Sequence, residues 1–344
     1  MKTVFLKSAT IINFLRQKKQ QAGEFSRLQK KALLHAKELE VCRNNTSNIK
    51  PNDIIIFAVM KNESHRLPFF LDYYRGLGVN HFFLVDNGST DHFADMIAGQ
   101  NDVSTYYTNA SYKESNYGVH WANYLLSRYG CGHWCLTCDP DEFLVYPYME
   151  TRNLRNLTDF LFRSRQSSLF AILIDMYSDR NIEENYYREG DNPLNVCPYF
   201  DASGYSKRYD QNHRNLFVQG GVRRRMFYPE NPAKAPALNK LPLIKWESHF
   251  AYVQSQHMAI PRRLNETYHK TKISGALLHF KFISKLIDKV KEEKIAKQHY
   301  DNSSEYEKYN EAVQTKTKLY DPSISVRFEG WQTLARLGLI NVGE

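Results

Sequence analysis

DIIIFAVMKNESHRLPFFLDYYRGLGVNHFFLVDNGSTD, residues 53–91, decides the fold. Residues 54–60 are an unbroken apolar run, which is how a strand buried on both faces reads. Pro68 opens a helix that Gly76 and Gly78 close. A second apolar run, 81–86, follows at once. A strand, a helix and a strand in so short a span give a parallel pair joined by a crossover. Each strand ends in a polar cluster: KNES at 61–64 and DNGSTD at 86–91.

The same rhythm continues outward. VSTYYT (103–108), HWCLTCD (133–139), LFAILID (169–175) and GALLHFKF (275–282) read as strands, and GVHWANYLLSRYG (118–130) as an amphipathic helix. The alternation predicts an α/β fold with a mostly parallel sheet flanked by helices. Ligands of such sheets bind at the carboxyl ends of the strands. KNES, DNGSTD and DPDE all fall there, so one site is expected. Neither GxGxxG nor GxxxxGK[ST] occurs, so no dinucleotide fold or P-loop is expected, and no internal repeat is present.

Residues 1–50 read as a basic helical extension, ended by the polar stretch RNNTSNIKPND (43–53). Residues 51–282 form the main domain. Residues 283–344 read as a helical segment packing on it, with helices in KLIDKVKEEKIAKQHY, SSEYEKYNEAVQ and EGWQTLARLGL. Residues 190–250, rich in Tyr, Asn, Pro and Arg, read as loops that build an acceptor site.

The chain has 344 residues and a net charge of +9. The surplus is concentrated between Arg16 and Lys37 and between Lys281 and Lys297. It calls for an anionic partner or a solvated helix face. No aromatic-interleaved basic motif points to nucleic acid. Five scattered cysteines indicate a reducing compartment. Cys131, Cys135 and Cys138 flank His133, but HWCLTC reads as a buried strand rather than a zinc site. The N-terminal MKTVFLKSATIINFL is interrupted by Lys7 and Asn13 and is too short to span a bilayer. The sequons at Asn62 and Asn87 read as chance matches. The expected location is cytoplasmic, with peripheral contact to an anionic inner-membrane surface through the basic extension.

CDPDEFL (138–144) carries the strongest chemistry. Asp139 and Asp141, one residue apart at a strand end, can approach one hard cation, Mn²⁺ or Mg²⁺, together with phosphate oxygens. Such an ion neutralises a departing diphosphate. In DNGSTD, Asp86 to Gly88 make a tight turn and Asp91 caps the next helix. In KNES, Glu63 sits in a first helical turn.

With these motifs in this order, the chain resembles bacterial glycosyltransferase family 2 and family 92-like enzymes of GT-A fold. GGVRRRMF (220–227), LNKLPLIKW (238–246) and GALLHFKF extend the resemblance over roughly residues 52–330. The resemblance implies a nucleotide-diphosphate sugar donor, a glycan or lipid-linked acceptor, and inversion at the anomeric carbon. It implies that Asn62, Glu63, Asp86 and Asp91 line the nucleotide pocket. Gly220 and Gly221 would form a glycine loop near the donor, Arg223 would pair with the diphosphate, and Asp139, Asp141 and His279 would hold the metal. It places the catalytic base at Glu247, with Asp175 and Asp201 as competitors. Many family 2 enzymes carry two acidic residues where this chain has Val85 and Asp86, so the nucleotide base stays open. Three other classes compete: a sugar nucleotidyltransferase, a non-catalytic glycan-binding protein and a nucleic-acid-binding protein. The first usually needs a Gly-rich phosphate loop that KNES is not. Intact Asp139 and Asp141 argue against the second.

Overall fold

The computed structural model describes residues 2–268, 272–283 and 318–343, together with Leu286, Lys308, Tyr309, Glu311 and Thr315, with side chains from residue 17 onward. The helices expected in 285–300 and 303–314 therefore fall almost wholly outside the described residues.

Helix α1 (Lys2–His35) leads into β1 (Glu40–Arg43). There follow β2 (Ile54–Met60), α2 (Leu67–Leu77), β3 (His81–Asp86), α3 (Phe93–Ile97), β4 (Val103–Tyr107), α4 (Val119–Leu125) and β5 (Trp134–Thr137). Next come β6 (Glu142–Val145), α5 (Leu154–Arg163), β7 (Ser168–Asp175), β8 (Tyr199–Asp201), β9 (Ser206–Asp210), β10 (Asn215–Gln219) and α6 (Gly221–Phe227). The described chain ends with β11 (Asn239–Lys245), β12 (Ala251–Tyr252), β13 (Ala259–Ile260), β14 (Gly275–His279), β15 (Ser325–Arg327) and α7 (Trp331–Arg336).

Nine strands form one sheet, in the order β1-β4-β3-β2-β5-β11-β7-β14-β6. Strands β2 to β5 and the pair β7/β14 run parallel, while β1, β11 and β6 are antiparallel to their neighbours. The sheet is thus α/β but mixed, where the sequence pattern predicted a mostly parallel one. The antiparallel strands are short or interrupted by Pro and Lys, so they lack the long apolar run that marked the others.

Alternation along β2 and β3 explains why both faces are covered. Ile54, Ile56, Ala58, Phe82 and Leu84 pack toward α2, α3 and α5. Ile55, Phe57, Phe83 and Val85 pack toward α4 with Trp121 and Leu125. Full burial of each large apolar side chain contributes about 1.5–3 kcal/mol. Helix α2 begins beside Pro68 and ends at Gly78, whose left-handed φ of 99° lets Gly78 and Val79 donate back to Arg75 and Tyr74.

The chain before residue 50 is not merely an extension, because β1 pairs with β4 as the edge of the main sheet. Helix α1 packs through Leu28, Ala32 and His35, and the His35 and His120 rings stack at 4.8 Å. At the other end, β15 pairs with β8, and Trp331, Leu334 and Ile340 join the main core.

Candidate functional site

The carboxyl ends of β2, β3, β5, β7 and β14 share one edge of the sheet, and β6 and β11 begin there. The turn after β5 shapes this edge. Glu142 N–H donates to Asp139 O at 3.0 Å, which makes Asp139–Glu142 a β-turn with Pro140 at its second position. A turn of this kind spans less than about 7 Å. Yet β5 and β6 are four strands apart, about 19 Å in a flat sheet. The sheet therefore curls, and β6 returns to pair with β14, setting Glu142 opposite His279.

This closure brings Asp141 and His279 together. Asp141 Oδ2 lies 3.4 Å from His279 Nε2. The other ring nitrogen, Nδ1, donates to Asp175 Oδ1 at 2.6 Å. Burial opposes a charged ring, but Asp141 and Asp175 outweigh it and raise the His279 pKa. Asp175 is pushed up by burial and pulled down further by Arg223 and His279, to about 2. A carboxylate so strongly held in its ionised form is a poor proton acceptor. Asp201, the other competitor, accepts both Nε and Nη2 of Arg225 at 2.9 Å and the Tyr177 hydroxyl. Neither is free to act as a base.

Asp139 stands apart. Its side chain is 42% exposed, and Lys240 Nζ lies 3.9 Å from its Oδ2. Partial desolvation and the adjacent Glu142 push its carboxyl up to about 7. Among the described residues no three His, Cys, Asp or Glu side chains converge to hold a metal ion. The expected set of Asp139, Asp141 and His279 is thus met only in the pair Asp141 and His279. That pair does fit Mn²⁺ or Mg²⁺. Two ligands about 2.1 Å from an ion and at right angles stand about 3 Å apart, and such ions take their remaining ligands from phosphates and water. Five carboxyl side chains, Glu63, Asp139, Asp141, Glu142 and Asp175, gather here with Arg66, Lys240 and Arg223.

The residues expected in the nucleotide pocket lie in the two loops after β2 and β3, where they make internal contacts. Asn62, with a left-handed φ of 54°, accepts from Thr90 N–H through Oδ1 and donates its own N–H to Ser89. Asp91 accepts from Ser64 and Phe93 N–H. Asp86 accepts from Ser89 N–H. Asn62 and Asp91 lace the two loops together, while Asp86 closes the turn of its own loop. Glu63 is buried against Arg66 at 2.8 Å, and Arg66 reaches Asp141 at 3.8 Å and donates to Phe280 O. These contacts fix the two loops at the strand ends.

Beside Asp139 lies a narrow cleft between the sheet and α4, lined by Val59, Val85, Tyr112, Tyr117, Thr137 and Gln256. Val85 faces it because strand alternation turns Asp86 to the other side. Asn116, Tyr117 and Gly118 in succession are left-handed, which bends the loop over the cleft.

Gly220 and Gly221 open α6 against Tyr205, where a Cβ on Gly220 would lie 2.7 Å from Tyr205 Cα. This approach sets Arg223 on Asp175 at 2.8 Å, so Arg223 is engaged inside the protein. Glu247 is a correction: it follows β11 at the opposite end of the sheet, half exposed, near His249 and Arg263. Strand β11 runs antiparallel to β5, which carries residues after it away from Asp139. Sequence reasoning missed Arg66, Glu142 and Lys240. Lys240 Nζ is buried, 2.8 Å from Glu142 Oε1 and 2.8 Å from Gln256 Oε1. Only Arg66 had a signal, its spacing of three from Glu63 on one helical turn.

No protein-family model and no curated protein matches the chain. Among solved structures it is similar to 4-diphosphocytidyl-2C-methyl-D-erythritol synthase from Anaerococcus prevotii DSM 20548. The identity is 15%, covering 43% of this chain and 68% of that one, with a TM-score of 0.24. A similarity of that size identifies neither family nor activity.

Proposed function

We propose that the chain is a glycosyltransferase of GT-A type that moves a hexosyl unit from a nucleotide-diphosphate sugar to a glycan or lipid-linked acceptor. One observation carries this reading: Asp141 and His279, 3.4 Å apart at the edge where the strand ends meet, beside a cleft with aromatic walls. Asp141 and His279 would hold Mn²⁺ or Mg²⁺, and Asp139 borders both the pair and the cleft. The ion's chemistry there is to neutralise the diphosphate as it leaves. The chain's own residues prepare the place. Arg66 and Lys240 pair with Glu63 and Glu142 inside the protein, and Asn62 and Asp91 fix the loops. Val85, Tyr112 and Tyr117 wall the narrow cleft beside Asp139.

A sugar nucleotidyltransferase, which builds the activated donor, is the second reading, since it too needs a divalent ion at a strand-end carboxylate. The two differ in the product released. Purified protein with Mn²⁺ and a panel of nucleotide sugars is expected to release nucleoside diphosphate, with the release lost in EDTA. Asp141→Ala is expected to lower it at least tenfold and more than Asp139→Ala does. Pyrophosphate release from a nucleoside triphosphate and a sugar 1-phosphate would establish the second reading instead. No release in either assay would overturn both.

A further inference from the structure

Asp175 ends β7 in register with His279, the last residue of β14. Its Oδ1 accepts the His279 Nδ1 proton at 2.6 Å, and its Oδ2 accepts from Arg223 Nε at 2.8 Å. The three side chains are 1%, 8% and 6% exposed. Placing a carboxylate and a guanidinium so deep costs free energy unless each is well paired. The proposed reaction uses neither as ligand or base. What they do is fix the ring. With Nδ1 donating to Asp175, the remaining lone pair is on Nε2, the atom 3.4 Å from Asp141 Oδ2. A ring without this acceptor can rotate about its Cβ–Cγ bond or carry its proton on the other nitrogen, and then presents no ligand.

We propose that Asp175, braced by Arg223, is a positioning residue that holds His279 with Nε2 toward the ion; this rests on the metal reading above. Arg223 comes from α6, which the Gly220–Tyr205 approach sets in place. The brace therefore ties a distant helix to the metal edge.

The test is Mn²⁺ binding to the full chain, followed by electron paramagnetic resonance, with no turnover required. Asp175→Ala would strand the buried Arg223 and could fail to fold. The main variant is therefore the double change Asp175→Leu with Arg223→Met, which removes both charges and the acceptor behind Nδ1 while keeping the branched shape of the side chain. His279→Ala marks the floor. The double variant is expected to bind Mn²⁺ ten- to a hundredfold more weakly, the loss usual when a partner behind a ligating His is removed. In ¹⁵N-histidine spectra of the Zn²⁺-loaded protein, wild type is expected to show His279 with its proton fixed on Nδ1, and the double variant is expected to lose that signature. A folded double variant that binds Mn²⁺ as tightly as wild type would overturn the proposal while leaving the metal reading intact. Wild type with no Mn²⁺ binding would overturn the metal reading and the proposal with it.

Discussion

Glu142 and Lys240 form a buried ion pair. Their side chains are 1% and 5% exposed, 2.8 Å apart. Burial lowers the Lys240 pKa, but Glu142 and Asp139 raise it further, so the ammonium is kept. Removing one partner strands the other, at a cost of about 3–5 kcal/mol. Lys240→Met is expected to lower the urea midpoint accordingly, and adding Glu142→Gln is expected to restore most of it. Equal midpoints for wild type and Lys240→Met would show that the pair adds nothing. Three histidines behave oppositely. His81 and His120 are lowered to about 4 and His257 to about 3, in each case chiefly by burial. A histidine depressed in the fold binds its proton first in the unfolded chain. Stability is therefore full above about pH 6.5 and is lost as pH falls toward 4. Urea midpoints measured from pH 7.5 to 4.5 are expected to fall, and His81→Phe is expected to flatten that slope by about one proton. A flat profile in wild type would contradict buried neutral histidines. Asp141 and His279 were legible in the sequence because each closes or follows an apolar run. Lys240 was not, since a lone lysine inside LNKLPLIK carries no sign of the partner that β11 brings to it.

Among elements, legibility followed length and locality. Strands β2, β3 and β7, with helix α2, could be read because four or more consecutive apolar residues specify each strand, and Pro68 and Gly78 bound the helix, without reference to the rest of the chain. Strands β1 and β6 have four residues each, and β6 owes its place to pairing with β14, far along the chain. Long-range pairing leaves no local pattern, so the curl that makes the site was invisible before the fold. Gly220 and Gly221, expected to form a loop near the donor, instead open helix α6 (Gly221–Phe227), whose first turn touches Tyr205. A methyl group on Gly220 would lie 2.7 Å from Tyr205 Cα and 2.8 Å from Gly204 O, both backbone atoms that cannot swing aside. Gly220→Ala is therefore expected to displace α6 and cost about 1–3 kcal/mol. Because α6 carries Arg223, it is also expected to weaken Mn²⁺ binding. A variant with unchanged melting temperature and unchanged Mn²⁺ affinity would show that α6 does not depend on this approach.

At the scale of the whole molecule, the charge surplus of +9 is unevenly displayed. Helix α1 turns Leu28, Ala32 and His35 inward, and Glu38, just beyond it, accepts from the Trp121 indole at 2.9 Å. Its outer side shows Arg27, Lys30, Lys31 and Lys37 with two leucines, Leu33 and Leu34, 60% and 57% exposed. No described helix is long and apolar enough to cross a membrane, so any lipid contact of this helix is with the surface. Each Lys or Arg near an anionic leaflet contributes about 1 kcal/mol, and exposed leucines beside them add interfacial burial. A second copy of the same face would be repelled by these charges, whereas an anionic lipid surface, where a lipid-linked acceptor would sit, would be attracted. Deleting the segment is a poor test, since it strips the edge strand β1 and uncovers Ala251 and Ile260, on which Leu28 packs. The better variant is the full chain with Arg27, Lys30 and Lys31 each changed to Glu, all exposed and without a structural pairing to lose. Wild type is expected to sediment with anionic vesicles at low salt and to be released near 1 M, where the screening length falls to about 3 Å. The triple variant is expected to stay in the supernatant while keeping its melting temperature, and neutral vesicles are expected to bind neither. Equal sedimentation of both proteins, or of neither, would show that α1 faces something other than lipid.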